Sequence, residues 1–124
     1  MSRGEYPATR MRRNRMKAFS RRMMAESRLS VDDLIWPMFV IEGTDSAEPV
    51  EAMPGVERLT VDRLVAQARD AMALGIPAIA IFPSIDASLK DEDGTLALDA
   101  DNLVCRTVRA VKEACPDLGV ICDV

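Results

Sequence analysis

The side chains able to do chemistry are few, and they fall at the ends of apolar runs. LIWPMFVIEG ends on Glu42 and Gly43, IPAIAIFPS on Pro83 and Ser84, and the terminal stretch GVICDV carries one carboxylate, Asp123. A carboxylate at the tip of a buried strand has no packing role, so Asp123 reads as a site residue; the alternative is a carboxylate satisfied by neighbouring backbone donors. The sequence contains no histidine, so neither a Ser-His-Asp nor a Cys-His nucleophile can be assembled from it. Lys90 is an amine without neighbours that would desolvate it or lower its pKa, and reads as a loop lysine. KDEDG resembles the opening of a calcium loop but lacks the D-x-[DN]-x-[DN]-G spacing and the distal glutamate, which leaves a solvated loop. Cys105, Cys115 and Cys122 are odd in number and unpaired in spacing, and read as small buried hydrophobes rather than a disulfide or zinc framework.

The elements that would position these residues follow from periodicity. Ser30 with Asp33 three residues on forms a weak capping box and predicts one helical turn. LIWPMFVIEG is apolar on both alternating faces, as in a strand covered on both sides, although Pro37 belongs at an edge, a bulge or a strand start. TDSAEPVEAMPGVERL reads as a polar, turn-rich connection. From Thr60, an expected N-cap, the period becomes helical: Val61, Leu64, Val65, Ala68 and Met72 share one face, and Gly75 ends the helix. IPAIAIF is a second strand, and SIDASLKDEDGTLALD a loop. A helix is predicted over Ala100 to Ala114 with Val104, Val108, Val111 and Cys115 inward and Arg106, Arg109 and Lys112 outward, before GVICDV begins a third strand.

Strand, helix, strand, helix, strand indicates a parallel sheet with right-handed crossovers. Three such strands would leave open apolar edges, so more chain or a partner is expected. No G-x-G-x-x-G follows the first strand, which favours the first part of a (β/α)8 TIM barrel over half of a doubly wound sheet. In either architecture ligands meet the carboxyl ends of the strands, where Glu42, Ser84 and Asp123 fall.

Charge divides the 124 residues unevenly. Nine of the 16 basic residues lie at or before Arg28, against only Glu5 and Glu26 of the 20 acidic ones. Within this basic arm Met16, Phe19 and Met23 fall at helical spacing and need a surface to cover, while no aromatic residues interleave RMRRNR for base stacking. The acidic body favours packing of the arm on its own or a neighbouring subunit; nucleic acid and a solvated tail stay open. No apolar run approaches the ~18 residues of a membrane span, nor is there a signal-peptide h-region. A cytoplasmic location is expected.

The blocks TRMRRNRMKAFSRRM, LSVDDLIWPMFVIEG, MPGVERL, LGIPAIAIFP, KDEDGT, NLVCRTVRAVKEACPDLGVI and CDV resemble the porphobilinogen synthase (5-aminolevulinate dehydratase) family, in the family's order and through nearly all of the chain. The resemblance covers only the first part of the family's length. It implies residues 1–30 as an oligomerisation arm, with a short helix, that wraps a neighbouring subunit, and residues 31–124 as the first part of the barrel, truncated after its third strand and second helix. It further implies a hydro-lyase of haem biosynthesis, usually a homo-octamer, condensing two 5-aminolevulinate molecules to porphobilinogen with loss of two waters. Two Schiff-base lysines on later strands carry that chemistry; Lys17, Lys90 and Lys112 match neither, so the fragment is expected to be inactive alone. Asp123 matches the aspartate of the family's D-V motif that faces the active site, with Ser84 a second candidate lining residue. The zinc or magnesium ligands would follow Val124, and Cys122 is not one of them. TLALDADNLV departs from the tyrosine or asparagine that many members carry before this helix. The partners implied are 5-aminolevulinate and further copies of the chain, with neither nucleic acid nor membrane. The competing reading is a non-catalytic module that binds an anionic surface or nucleic acid through the arm.

Overall fold

The computed structural model describes residues 4–5, 7–10 and 12–122. A 3₁₀ turn over Arg13–Arg15 and helix α1 (Ala18–Met23) come first, with Met16, Phe19 and Met23 all exposed. The Ser30 capping box forms: the Ser30 backbone N–H donates to Asp33 Oδ2 at 2.7 Å, opening a 3₁₀ turn over Val31–Asp33.

The body is a sheet of β1 (Ile35–Ile41), β2 (Ala47–Pro49), β3 (Glu57–Thr60), β4 (Ala78–Pro83) and β5 (Gly119–Cys122), with helices α2 (Val61–Ala73) and α3 (Leu103–Ala114). Strand order is β2-β3-β1-β4-β5. β3, β1, β4 and β5 run parallel and β2 antiparallel at the edge. The three apolar runs therefore form the parallel strands expected of them, but the connection read as turn-rich supplies a further hairpin that borders β1. Polar contacts hold that hairpin: the Ser46 N–H donates to Thr60 Oγ1 at 3.1 Å, and the Thr60 N–H donates to the Ser46 carbonyl at 3.1 Å. The Thr60 hydroxyl is thereby engaged with Ser46, so Thr60 occupies the N-cap of α2 without a side-chain capping bond. Asp45, at φ 47°, donates its N–H to Asp62 and accepts from Arg63 Nε at 2.9 Å, fixing the hairpin's start to α2.

β3 pairs only with Phe39–Ile41 of β1, so no described strand flanks Pro37 on the side away from β4. A residue without a ladder donor is tolerated at such a place.

α2 and α3 pack against each other and against β1 and β4. Met38, Val40, Ile79 and Ile81 project into that helix layer and are buried. The register sets Phe39 beside Phe82 and Ile35 beside Ala78 on the opposite face, and no described helix covers that face. There the Phe39 and Phe82 rings lie 5.8 Å apart, while Ile35 and Ile121 remain about half exposed.

Three sequence expectations change in detail. On α2 the buried stripe is Leu64, Ala68 and Ala71, and Met72 is exposed, because the helix turns its small residues to the sheet. α3 starts at Leu103 rather than Ala100, because Asn102 accepts the Cys105 N–H at 2.9 Å and acts as the N-cap. Its buried stripe is Leu103, Thr107 and Val111, continued by Cys115. Thr107 escapes a purely apolar pattern because its hydroxyl is satisfied within the helix, donating to the Leu103 carbonyl at 2.6 Å.

Candidate functional site

At the carboxyl end of the parallel strands lies a cleft of about 420 Å³. Glu42 follows β1, Ser84 follows β4, and the loop from Ile85 to Asn102 folds over them and leads into α3, which contributes Leu103 and Arg106. The Ser84 N–H donates to the Val40 carbonyl at 2.8 Å, extending the β1–β4 ladder one residue past the strand and fixing the Ser84 backbone at the cleft.

Arg106 spans the cleft's edge. One guanidinium nitrogen donates to Glu42 Oε1 at 2.5 Å, and Nε donates to the Asp101 carbonyl at 2.9 Å. The hydrogen bond to Glu42 raises the Arg106 pKa further above its ordinary value, so the guanidinium stays charged. Asp101 pairs in turn with Arg109, which also donates to the Ala100 carbonyl at 2.9 Å. The loop is further held by its own aspartates. Asp86 accepts from the Ser88 hydroxyl and N–H at 2.7 and 2.8 Å, and Asp91 accepts from the Thr95 N–H at 2.8 Å. The Ser88 hydroxyl and then its N–H lower the Asp86 pKa, and Thr95 does the same for Asp91. KDEDG is thus a self-capped loop; among the described residues no three His, Cys, Asp or Glu side chains converge to hold a metal.

The cleft brings Ser84 together with Glu42, as the strand-end reading anticipated. Asp123 lies outside the described residues. None of Lys17, Lys90 and Lys112 lines the cleft; Lys112 caps the end of α3, donating to the Pro116 and Leu118 carbonyls. Cys115 is buried, whereas Cys105 and Cys122 are only partly so, and burial, with Cys105 nearby, pushes the Cys122 thiol pKa up. Sequence reasoning placed Arg106 outward and did not connect it to Glu42. Nothing local signals a bond between residues 64 positions apart, whereas Asn102, directly before the helical period, carried a readable capping signal.

No described helix is long and apolar enough to cross a membrane. A family model described as delta-aminolevulinic acid dehydratase matches residues 8–124. The delta-aminolevulinic acid dehydratase of Bradyrhizobium diazoefficiens is 53% identical over 117 residues, covering 94% of this chain and 33% of that protein. The protein of that name from Synechocystis is 43% identical over 118 residues, covering 95% of this chain and 36% of its own length. The crystal structure of delta-aminolevulinic acid dehydratase (porphobilinogen synthase) from Toxoplasma gondii, in complex with the reaction product porphobilinogen, superposes with a TM-score of 0.84 at 34% identity, over 94% of this chain and 33% of that one. The chain spans about a third of the length of these relatives. It belongs to the delta-aminolevulinic acid dehydratase family.

Proposed function

We propose that the chain provides the arm, residues 1–30, and the opening of the (β/α)8 barrel, residues 31–124, of a porphobilinogen synthase that condenses two 5-aminolevulinate molecules to porphobilinogen. The observation that carries this reading is the one-sided sheet. Both crossover helices cover one face, and the opposite face presents Ile35, Phe39, Phe82 and Ile121. A doubly wound sheet is covered on both faces, whereas a barrel keeps its helices outside and fills its interior with side chains from all its strands. The apolar bare face suits an interior that further strands complete.

In this reading the cleft beside Ser84 is one wall of the substrate site. Side chains alternate along a strand, so continuation of β5 past Cys122, which shares the register of core-facing Ile81, would deliver Asp123 to the barrel interior. The exposed stripe of Met16, Phe19 and Met23 supports an arm that docks on another copy of the chain; the homo-octamer and the cytoplasmic location belong to this reading through the family resemblance alone. Zinc or magnesium, which the resemblance implies, finds no fitting ligand set among the described residues. No described cluster converges, and a thiol with a raised pKa, as at Cys122, is a poor ligand. By the family resemblance, the metal ligands and the two Schiff-base lysines belong to later strands of the family's barrel. The chain's own contribution is to bind and orient substrate at the strand ends.

The test is a chimera in which this chain replaces the matching 117-residue segment of the Bradyrhizobium relative, assayed for pyrrole formation from 5-aminolevulinate beside this chain alone. The chimera is expected to turn over and the chain alone to be silent. Turnover by the chain alone, or a folded but inactive chimera, would overturn the reading.

A further inference from the structure

The geometry points to Arg106 as a positioning residue for the proposed substrate site, holding the Ile85–Asn102 loop over the end of β4 by anchoring it to Glu42. This inference rests on the porphobilinogen synthase reading. β4 lies between β1 and β5 in the sheet, and α3 connects β4 to β5. α3 packs over both β1 and β4, so a side chain near its N-terminus can reach Glu42 after β1 beside Ser84 after β4. Arg106 does so with two separate donors: Nε holds the Asp101 carbonyl of the loop, and a terminal nitrogen holds Glu42. The loop's last turn is thereby fixed to α3 and to β1 at once, and Ser84, Asn102 and Arg106 share one cleft.

Both partners are partly exposed, with side-chain accessibilities of 38% and 62%, and such pairs contribute little to global stability. Placement of the loop is the effect that remains. The fork also explains why arginine stands here: a lysine ammonium is a point donor and cannot hold the same two acceptors in fixed geometry.

The experiment uses the chimera and this chain. In the chimera, Arg106→Met is expected to lower kcat/KM by about tenfold, mostly through KM, with little change in melting temperature. Arg106→Lys is expected to recover only part of the loss. Glu42→Gln, which keeps an acceptor oxygen, should stay closer to the parent than Glu42→Ala. The Glu42→Ala/Arg106→Met double variant should lose no more than Arg106→Met alone. Unchanged KM, full rescue by lysine, additive losses, or an activity loss matched by lost folded protein would overturn the assignment. In the chain alone, Arg106→Met should speed amide hydrogen exchange across residues 85–102 while β1, β4 and α2 stay protected; unchanged exchange there overturns the inference whatever the chimera does. An inactive parent chimera would count against the proposed function and leave that exchange measurement to decide on Arg106.

Discussion

Ile81 and Phe82 are neighbours in β4 that project to opposite faces of the sheet, so truncating each to alanine weighs the two faces separately. Ile81 is 1% exposed, inside the helix-covered core. Its truncation removes apolar contacts and leaves a cavity that close-packed neighbours fill only in part, a cost of about 3 kcal/mol within the ~2–5 kcal/mol seen for such changes. Phe82 keeps 37% of its surface in water, and among the described residues its aromatic partner is Phe39. Losing that ring pair costs ~0.5–1.5 kcal/mol, and the partial burial lost with it brings the total to about 1–2 kcal/mol. With a urea slope of ~1.5 kcal/mol/M, the midpoint should fall by about 2 M for Ile81→Ala and by about 1 M for Phe82→Ala. Urea unfolding of the chain followed by far-UV circular dichroism, at two protein concentrations, reads both. A Phe82→Ala midpoint that falls as far as that of Ile81→Ala, and that depends on concentration, would show the second face packed in solution and refute the one-sided sheet.

Acid sensitivity and the arm supply two further predictions. The Ser30 N–H, and then its hydroxyl, hold the Asp33 pKa below the ordinary 3.8. A depressed folded-state pKa contributes stability that is fully present above 3.8 and is lost as pH falls through the folded value, so Asp33→Asn should reduce the drop in urea midpoint between about pH 6 and about pH 3; an unchanged drop would contradict the capping box as an acid-labile contact. If the arm serves subunit contacts, labelled duplex or single-stranded DNA should bind only weakly and be released by roughly 200 mM salt. Tight binding that survives such salt would favour the nucleic-acid module.

Much of the fold was legible because burial imposes a period. β1, β4 and β5 are unbroken apolar runs, and α2 is a helical stripe that starts after Thr60 and stops at Gly75, whose φ of +79° suits glycine. The β2–β3 hairpin was not legible, because polar bonds between Ser46 and Thr60 hold it rather than an alternating apolar face. Thr107 hid in the core because its hydroxyl is paired within its own helix. Of the candidate site, the strand-end rule found Glu42 and Ser84, since topology alone sends strand ends to one side of the sheet. It missed Arg106, whose role depends on a partner 64 residues away, a separation no local pattern encodes.

Whether this chain supplies the arm and first part of a porphobilinogen synthase barrel, as proposed, is decided by the rate at which the Bradyrhizobium chimera makes porphobilinogen. A rate within roughly tenfold of the unaltered relative is the predicted result. A chimera that folds and assembles like the relative yet forms no pyrrole would contradict it.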